Sequence, residues 1–157
     1  MISVDVKTTE PQTVAFLGMR GPYAQMPDAM GRLYGWAAQH GLQPAGMPSA
    51  VYMTDPATVG ADQAVWEVRA PVAGDPPDAT PDSSGCGIKH VDATLVATTL
   101  YRGPYEEIAA AYEQMAAWMG ANGYSTAGPR EEIYISDPAN TPASEYLTEI
   151  RLPVART

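Results

Sequence analysis

The chain is poor in the residue types that build disulfides and metal sites. Its 157 residues include one cysteine, Cys86, and two histidines, His40 and His90. A lone cysteine excludes an internal disulfide and a cysteine-based zinc site, and it fits a reducing cytoplasm. Neither histidine has a partner at metal-ligand spacing, and no phosphate-binding loop motif is present. We therefore expect neither a metal nor a cofactor.

Long apolar runs and basic residues are also scarce. No apolar stretch approaches the roughly 20 residues of a membrane span, and the start "MISVDVKTTE" does not resemble a secretory signal. These features predict a cytoplasmic protein with no membrane partner. Nine basic residues against 18 acidic ones give a net charge of −9, which argues against direct nucleic-acid binding because phosphates would be repelled.

The sequence does contain two copies of one unit. "RGPY" occurs at Arg20 and again at Arg102, and the same offset of 82 residues aligns 1–75 with 83–157 without a gap. "YMTDPA" matches "YISDPA", and "WEVRAPVA" matches "TEIRLPVA", in that register. Matches that keep their order and spacing indicate an internal duplication. The Pro-, Gly- and Asp-rich segment 73–87 lies between the copies and is predicted to be a flexible connector.

Each copy predicts strands and one helix. The β-branched and apolar segment before each Gly-Pro pair is typical of a strand, and apolar residues spaced by four, three and four follow it on one helix face. Gly41 and Gly123 are expected to end the helices in the left-handed conformation. The predicted strands are Ile2–Thr8, Val14–Arg20, Val51–Thr54 and Gln63–Val72 in the first copy, and Gly87–Val91, Thr94–Arg102, Glu132–Ser136 and Glu145–Val154 in the second.

The early segments Ile2–Thr8 and Gly87–Val91 are expected to add a strand to their own copies. A single copy would have few apolar residues and an open sheet edge. We therefore predict one α+β domain, residues 1–157, made of two packed halves with pseudo-two-fold symmetry.

The order of these motifs resembles the GyrI-like small-molecule-binding domain family. The resemblance rests on the duplicated halves, "RGPYEEI", a helix with a Trp near its end, "GPREEIYISDP" and the terminal "TEIRLPV", and it runs from about Val4 to Val154. It implies two βαββ-type units around a central cleft. The family includes gyrase-inhibitory proteins and effector-binding domains of MerR- and AraC-type multidrug regulators. Those regulators carry a helix-turn-helix upstream, so we expect this chain not to be a DNA-binding regulator of that kind.

Function is best sought where the two copies differ. Glu132 aligns with Ala50, and the resemblance implies that a glutamate at this position contacts cationic ligands in the cleft. Alternation along a strand places Glu132, Tyr134 and Ser136 on one face, opposite an apolar face that is expected to pack under the helices. The alternative is an exposed Glu132 paired with Arg130 or another basic residue.

Aromatic residues supply further candidates for the ligand site. Trp66 and Tyr146 have Thr148 and Ala64 as counterparts, and are therefore asymmetric between the copies. Trp36 and Trp118 are symmetric, which favours core packing, although cleft lining remains an alternative for both. Tyr101 and Tyr105 flank the second Gly-Pro turn. The candidate ligand-binding residues are Glu132, Tyr134, Tyr146, Trp66, Trp118, Tyr101, Tyr105 and Glu149.

Glu149 is a candidate with two interpretations. Glu67–Arg69 and Glu149–Arg151 recur in both copies at a spacing that puts each pair on one strand face. Their retention favours structural ion pairs. The alternative is that Glu149 is a second carboxylate of the cleft.

Three functions follow from these observations and the resemblance. The leading one is binding of hydrophobic, often cationic, small molecules in an aromatic cleft carrying Glu132. The second is hydrolysis of strained electrophiles such as cyclopropane-bearing compounds, with Glu132 as general base and Tyr134 or Tyr146 polarising the leaving carbonyl. The third is interaction with DNA gyrase or a regulator protein, for which the sequence offers no specific motif.

Overall fold

The described residues form two compact units. The computed structural model describes residues 2–54, 58–137 and 139–157. The first unit is Glu10–Ala93, and the second combines Met1–Thr9 with Thr94–Thr157. In chain order the elements are β1 (Asp5–Thr8), β2 (Gln12–Arg20), α1 (Met26–Gln39), β3 (Ser49–Tyr52), β4 (Val65–Pro71), β5 (Cys86–Val91), β6 (Leu95–Arg102), α2 (Ala109–Asn122), β7 (Tyr124–Thr126), β8 (Arg130–Tyr134) and β9 (Leu147–Arg156).

The first unit is an antiparallel sheet in the order β3-β4-β2-β5, with α1 packed on β2 and β4. Pro27 occupies the first turn of α1, where its missing N–H costs no hydrogen bond. Gly41 follows the helix with a φ of 68°, which confirms the predicted glycine stop. The face of α1 that meets the sheet buries Ala29, Leu33, Trp36 and Ala37.

The second unit is an antiparallel sheet in the order β1-β6-β9-β8, and β7 pairs with the end of β9. The helix α2 ends at Gly123 in the left-handed conformation, as predicted. Its buried residues Ala111, Met115 and Met119 pack with Ile150 and other apolar residues of the sheet. The strand β7 was not predicted, because its three residues lack an apolar alternation.

The first strand of each copy joins the sheet of the other copy's unit, so the prediction that each adds to its own copy is wrong. β1 pairs with β6, with Val6 opposite Ala97, whereas β5 pairs with β2, with Ile88 opposite Ala15. Alternation predicts a strand but does not identify its neighbour, and the two copies offer equivalent edges.

The connector between the copies is also more ordered than predicted. Ala79 exchanges two backbone hydrogen bonds with Ile88, and the Trp36 indole donates to the Asp82 carboxylate at 2.8 Å. His90 lies between the carboxylates of Asp75 and Asp78, with one ring nitrogen against each. These contacts fix a segment whose composition is typical of flexible linkers. Of the predicted "DPA" connections, residues 55–57 and 138 lie outside the described residues.

Candidate functional site

The carboxylate of Glu132 is buried on the helix side of the second unit. Glu132 lies opposite Ile150 in the β8–β9 pairing, and opposed residues share a sheet face. Ile150 belongs to the core that packs against α2, and Glu132 itself is only 7% exposed. The expectation that this face lies opposite the helix is therefore wrong. The sequence alternation was correct, but it could not decide which face α2 would cover.

Two tyrosine hydroxyls hold this carboxylate. Tyr112, from α2, donates to one oxygen at 2.5 Å, and Tyr134, two residues along β8, donates to the other at 3.0 Å. Burying a carboxylate removes its water, and hydrogen bonds from neutral donors replace part of that hydration. The tyrosine hydroxyls contribute no charge of their own, so the arrangement places an acidic group among aromatic rings.

Two more tyrosines extend this arrangement. The ring of Tyr105 lies edge-to-face with Tyr134 at 5.7 Å between centroids, and it stacks with Tyr146 at 4.9 Å. All four tyrosines are partly exposed. We call Glu132, Tyr105, Tyr112, Tyr134 and Tyr146 the tyrosine cluster. It brings together four of the predicted site residues within one unit.

The charge of Glu132 affects the pKa of Tyr105 in the tyrosine cluster. Burial raises the pKa of the Tyr105 hydroxyl, and the neighbouring Tyr146 and the Glu132 carboxylate raise it further. The Tyr105 hydroxyl therefore remains protonated at neutral pH, so it can donate a hydrogen bond. The Arg130 guanidinium carbon lies 5.3 Å from the centroid of the Tyr112 ring, within the range of a cation–π contact.

Tyr112 belongs to the tyrosine cluster but was predicted only as a helix-face residue. Its counterpart in the first copy is Met30, so it is asymmetric in the same sense as Glu132. Applying the comparison between copies to the helix face would have found it. The helical spacing of apolar residues did not distinguish Tyr112 from a core residue. The ring of a tyrosine can occupy an apolar position of that spacing while its hydroxyl reaches a polar partner.

Thr148 is a second unpredicted feature of this sheet face. It lies opposite Tyr134 in the strand pairing and is fully buried. In the described part of the chain its hydroxyl oxygen has no hydrogen-bond partner. A buried hydroxyl without a partner is unfavourable by about 1–3 kcal/mol, so the position is unusual.

Two other predicted site residues of the second unit, Trp118 and Tyr101, are not part of the tyrosine cluster, although Tyr101 lies opposite Thr148 in the β6–β9 pairing. Trp118 stacks on Tyr124 at 5.8 Å, nearly parallel, beside the core. The Tyr101 hydroxyl donates to the Pro104 carbonyl at 2.7 Å, which closes the Gly-Pro turn. These contacts fit structural roles, and ligand binding by these two residues stays a prediction.

Glu149 lies on the sheet face opposite Glu132. Its carboxylate forms ion pairs with Arg151 at 2.6 Å and with Lys7 at 3.3 Å, and it accepts a hydrogen bond from the Thr98 hydroxyl. Burial alone would raise the pKa of this carboxyl, but Arg151, Thr98 and Lys7 together hold it below its ordinary value. In the first unit, Glu67 likewise bridges Arg69 and Lys89. These contacts fit the structural interpretation of the repeated Glu-x-Arg pairs.

Trp66 belongs to the core of the first unit. Its ring is fully buried, lies edge-to-face with Tyr23 at 5.9 Å, and donates from Nε1 to the Gly21 carbonyl at 2.9 Å. Ala50, the counterpart of Glu132, is also fully buried there. The first unit therefore has an apolar core where the second has a buried acid.

The described residues contain no group of three or more side chains arranged to hold a metal ion. Nor, within those residues, is any helix both long enough and apolar enough to cross a bilayer.

The fold and the buried acid define a small α+β domain built to hold a ligand. A model of the GyrI-like small molecule binding domain matches residues 3–155. The chain belongs to this family, as its motifs indicated. No curated protein sequence is significantly similar to it.

Solved structures share this fold at low sequence identity. The C-terminal domain of EcmrR is 19% identical, with a TM-score of 0.83, over 100% of this chain and 99% of that one. In the EcmrR–DNA complex the match has a TM-score of 0.85 at 17% identity, and it covers 99% of this chain but only 58% of the longer EcmrR chain.

Two further structures have the same fold. A hydrolase from Listeria innocua is 16% identical, with a TM-score of 0.71, over 97% of this chain and 91% of that one. SAV2435 bound to tetraphenylphosphonium is 12% identical, with a TM-score of 0.59, over 98% of this chain and 94% of that one.

Proposed function

We propose that this protein binds hydrophobic, cationic small molecules at the tyrosine cluster. The observation that carries the proposal is the buried Glu132 carboxylate, which accepts hydrogen bonds from two tyrosine hydroxyls and lies among aromatic rings. A lipophilic cation supplies the opposite charge at little cost, because such ions are weakly hydrated. Tyrosine faces near the acid add about 0.5–2 kcal/mol for each cation–π contact.

The shape of the cluster favours broad selectivity. Aromatic rings offer large contact areas without demanding a particular hydrogen-bond pattern, so one acid with several rings can accept cations of different shapes. The complex of SAV2435 with tetraphenylphosphonium supports this proposal, because it places a lipophilic cation on a chain of the same fold.

The test is calorimetric titration with tetraphenylphosphonium and a panel of aromatic cations. Glu132→Gln keeps the shape of the side chain and removes its charge, so we expect affinity to fall by about tenfold or more, which corresponds to about 1.4 kcal/mol. Glu131→Gln is the matched control, because Glu131 lies opposite Arg151 on the other sheet face. Equal affinity of wild type and Glu132→Gln would overturn the proposal.

A second candidate is hydrolysis of strained electrophiles, such as cyclopropane-bearing compounds. The pairing of Glu132 with the Tyr134 hydroxyl resembles a base beside a hydrogen-bond donor, at 3.0 Å. The carboxylate would take a proton from water as the water oxygen bonds to a ring carbon and one C–C bond of the cyclopropane breaks. A tyrosine hydroxyl would stabilise the negative charge that moves onto the conjugated carbonyl, and the proton held by the carboxyl would then return to the opened product. The Listeria innocua hydrolase of the same fold also favours this candidate.

Mass spectrometry distinguishes the two candidates. Incubation with a reactive cyclopropane should yield a product heavier by one water if the protein is a hydrolase, and the yield should fall in Glu132→Gln and Tyr134→Phe. Binding of the compound without formation of this product would support the binding function and rule out the hydrolase.

A further inference from the structure

The two units build the same turn but place different side chains behind it. In the first unit, Gly21 has a φ of 128°, and its N–H donates to the Ala64 carbonyl at 2.8 Å. In the second, Gly103 has a φ of 144°, and its N–H donates to the Tyr146 carbonyl, also at 2.8 Å. The carbonyl groups of Gly21 and Gly103 therefore occupy corresponding places in the two units.

An indole uses this carbonyl in the first unit. Trp66 donates from Nε1 to the Gly21 oxygen and presents its ring edge-to-face with Tyr23. Trp66 is thus an internal occupant: a flat bicyclic ring with one N–H, held by one carbonyl and one tyrosine.

The second unit keeps the turn and the tyrosine beside this indole, but not the indole itself, and Tyr101 lies opposite Thr148 where Met19 lies opposite Trp66. Gly103 and Tyr105 correspond to Gly21 and Tyr23, whereas Thr148 stands at the position of Trp66. The buried Thr148 hydroxyl has no hydrogen-bond partner in the described residues. A buried hydroxyl without a hydrogen bond destabilises the folded protein, and a ligand that forms a hydrogen bond with it removes this penalty.

Tyr146 does not reproduce the missing indole. Its ring stacks on Tyr105 with an interplanar angle of 28°, whereas Trp66 meets Tyr23 at 79°. Its counterpart is Ala64 rather than Trp66. Tyr146 therefore adds an aromatic wall beside the site.

We propose that the ligand of the second unit takes the place that the Trp66 indole takes in the first. The ligand is a planar, bicyclic aromatic cation that carries N–H groups. One N–H donates to the Gly103 carbonyl, a second polar group bonds to the Thr148 hydroxyl, and the positive charge lies near Glu132. This inference rests on the proposed function, and it adds that the site prefers N–H cations to fully alkylated ones.

The preference has a physical basis. A fully alkylated cation can meet the charge of Glu132 and the tyrosine faces, but it has no N–H to donate to the Gly103 carbonyl and no polar group that bonds to the Thr148 hydroxyl. A site built for a polar partner rejects an analogue that lacks it, because its buried groups then remain unpaired.

The experiment compares two quinolinium ions of the same charge. 4-Aminoquinolinium has a ring N–H and an amino group, whereas 1-methyl-4-(dimethylamino)quinolinium has neither and is more apolar. We expect wild-type protein to bind the first at least tenfold more tightly by calorimetry. Hydrophobic attraction alone would give the opposite order.

Substitutions at residue 148 provide the control. Thr148→Val keeps the shape and removes the unsatisfied hydroxyl, so we expect it to raise the urea midpoint of the ligand-free protein while lowering the preference for 4-aminoquinolinium to about threefold or less. Thr148→Trp restores the residue of the first unit, and we expect it to block both ions. A purely structural Thr148 would not combine higher stability with weaker binding.

The outcomes separate this inference from the proposed function. If wild type binds both ions equally, Thr148→Val changes neither affinity and Glu132→Gln weakens both, the indole-like site is wrong and the cation site stands. If wild type binds neither quinolinium ion and Glu132→Gln leaves tetraphenylphosphonium binding unchanged, both proposals fail. A Thr148→Trp variant that does not fold leaves the decision to Thr148→Val.

Discussion

Glu132 and Ala50 show how one substitution changes the chemistry of a duplicated scaffold. Ala50 belongs to the second residue pair between β3 and β4, and Glu132 belongs to the second residue pair between β8 and β9. Both side chains are buried. An alanine needs no partner, whereas a buried carboxylate requires donors within reach. Tyr112, the counterpart of Met30, supplies such a donor from the helix. The acid and its hydrogen-bond donor therefore differ between the copies together.

Most of the tyrosine cluster was predictable at the level of single residues. Comparison of the copies selected Glu132 and Tyr146, and the Gly-Pro turn indicated Tyr105. The comparison of the copies also selected Trp66. This residue differs between the copies because it fills the core of the first unit, and it is not part of the tyrosine cluster. Sequence asymmetry identifies where two copies differ, but it cannot say which copy fills a space and which leaves a polar group in it.

Glu149 gives a prediction about acid stability. Its pKa is lowered in the folded protein relative to its ordinary value of 4.5, so its stabilising effect is present above that value and is lost as the pH falls through the folded pKa. We expect Glu149→Gln to lower the free energy of unfolding by roughly 1–2 kcal/mol at pH 7. The difference from wild type should shrink below pH 4.5 in urea titrations.

The exposed Glu113 on α2 is the control for this experiment. Glu113→Gln should leave the free energy of unfolding nearly unchanged at either pH. A Glu149→Gln difference that stays constant between pH 7 and pH 3 would contradict the assignment of the ion pairs.

Helices and strands differed in how far the sequence determined them. The glycine stops of both helices were predicted because only the local backbone decides them. The strand faces were not, because the face that α2 covers depends on how the helix packs on β6 and β9, and the residues of β8 alone do not determine that packing. Local chemistry fixes element ends, whereas long-range pairing fixes what each face meets.

Gly120 inside α2 and Gly123 at its end provide a matched pair of substitutions. Gly123 has a φ of 77°, and an added Cβ would meet only Thr157 Oγ1, at 3.7 Å. Gly123→Ala should therefore cost about 1 kcal/mol, from backbone strain alone. Gly120 lies inside the helix with open space around its Cβ position, so Gly120→Ala should stabilise by about 0.5–1 kcal/mol.

Thermal unfolding of the two variants measures this difference. The melting temperature should fall for Gly123→Ala and rise for Gly120→Ala. Equal shifts of the same sign would mean that residue 123 does not end the helix in the left-handed conformation.

The two units of the whole molecule do not coincide with its two sequence repeats. Residues 10–93 form one unit, and the remaining residues form the other. Thr9 and Thr94 exchange two hydrogen bonds where β1 ends and β6 is about to begin, one from each backbone N–H. The duplication was readable from the sequence, but the exchange of strands was not, since the edges of both copies have similar residues.

Val6 and Ile88 test this exchange, because they occupy the same position in the two copies. Val6→Ala removes packing from the core of the second unit, and Ile88→Ala removes it from β5 beside β2. Each should cost about 1–4 kcal/mol. We expect hydrogen exchange to speed up in β6 for Val6→Ala and in β2 for Ile88→Ala.

Wild-type protein and Val51→Ala, a buried change in β3, serve as references for this measurement. Faster exchange in β2 for Val6→Ala would show that the first strand belongs to its own copy, contrary to the pairing described here.

The placement of β1 has a consequence for how such a chain could arise. A half-length polypeptide with one copy of the repeat could form the same pairing only by lending its first strand to a second molecule, as an intertwined homodimer. Tandem fusion of two such genes makes this pairing intramolecular and allows the halves to differ, so that one carries the acid and the other the tryptophan. Separating the two repeats would remove one strand from each sheet, whereas cuts after Thr9 and Ala93 would release an uninterrupted piece with all four of its strands.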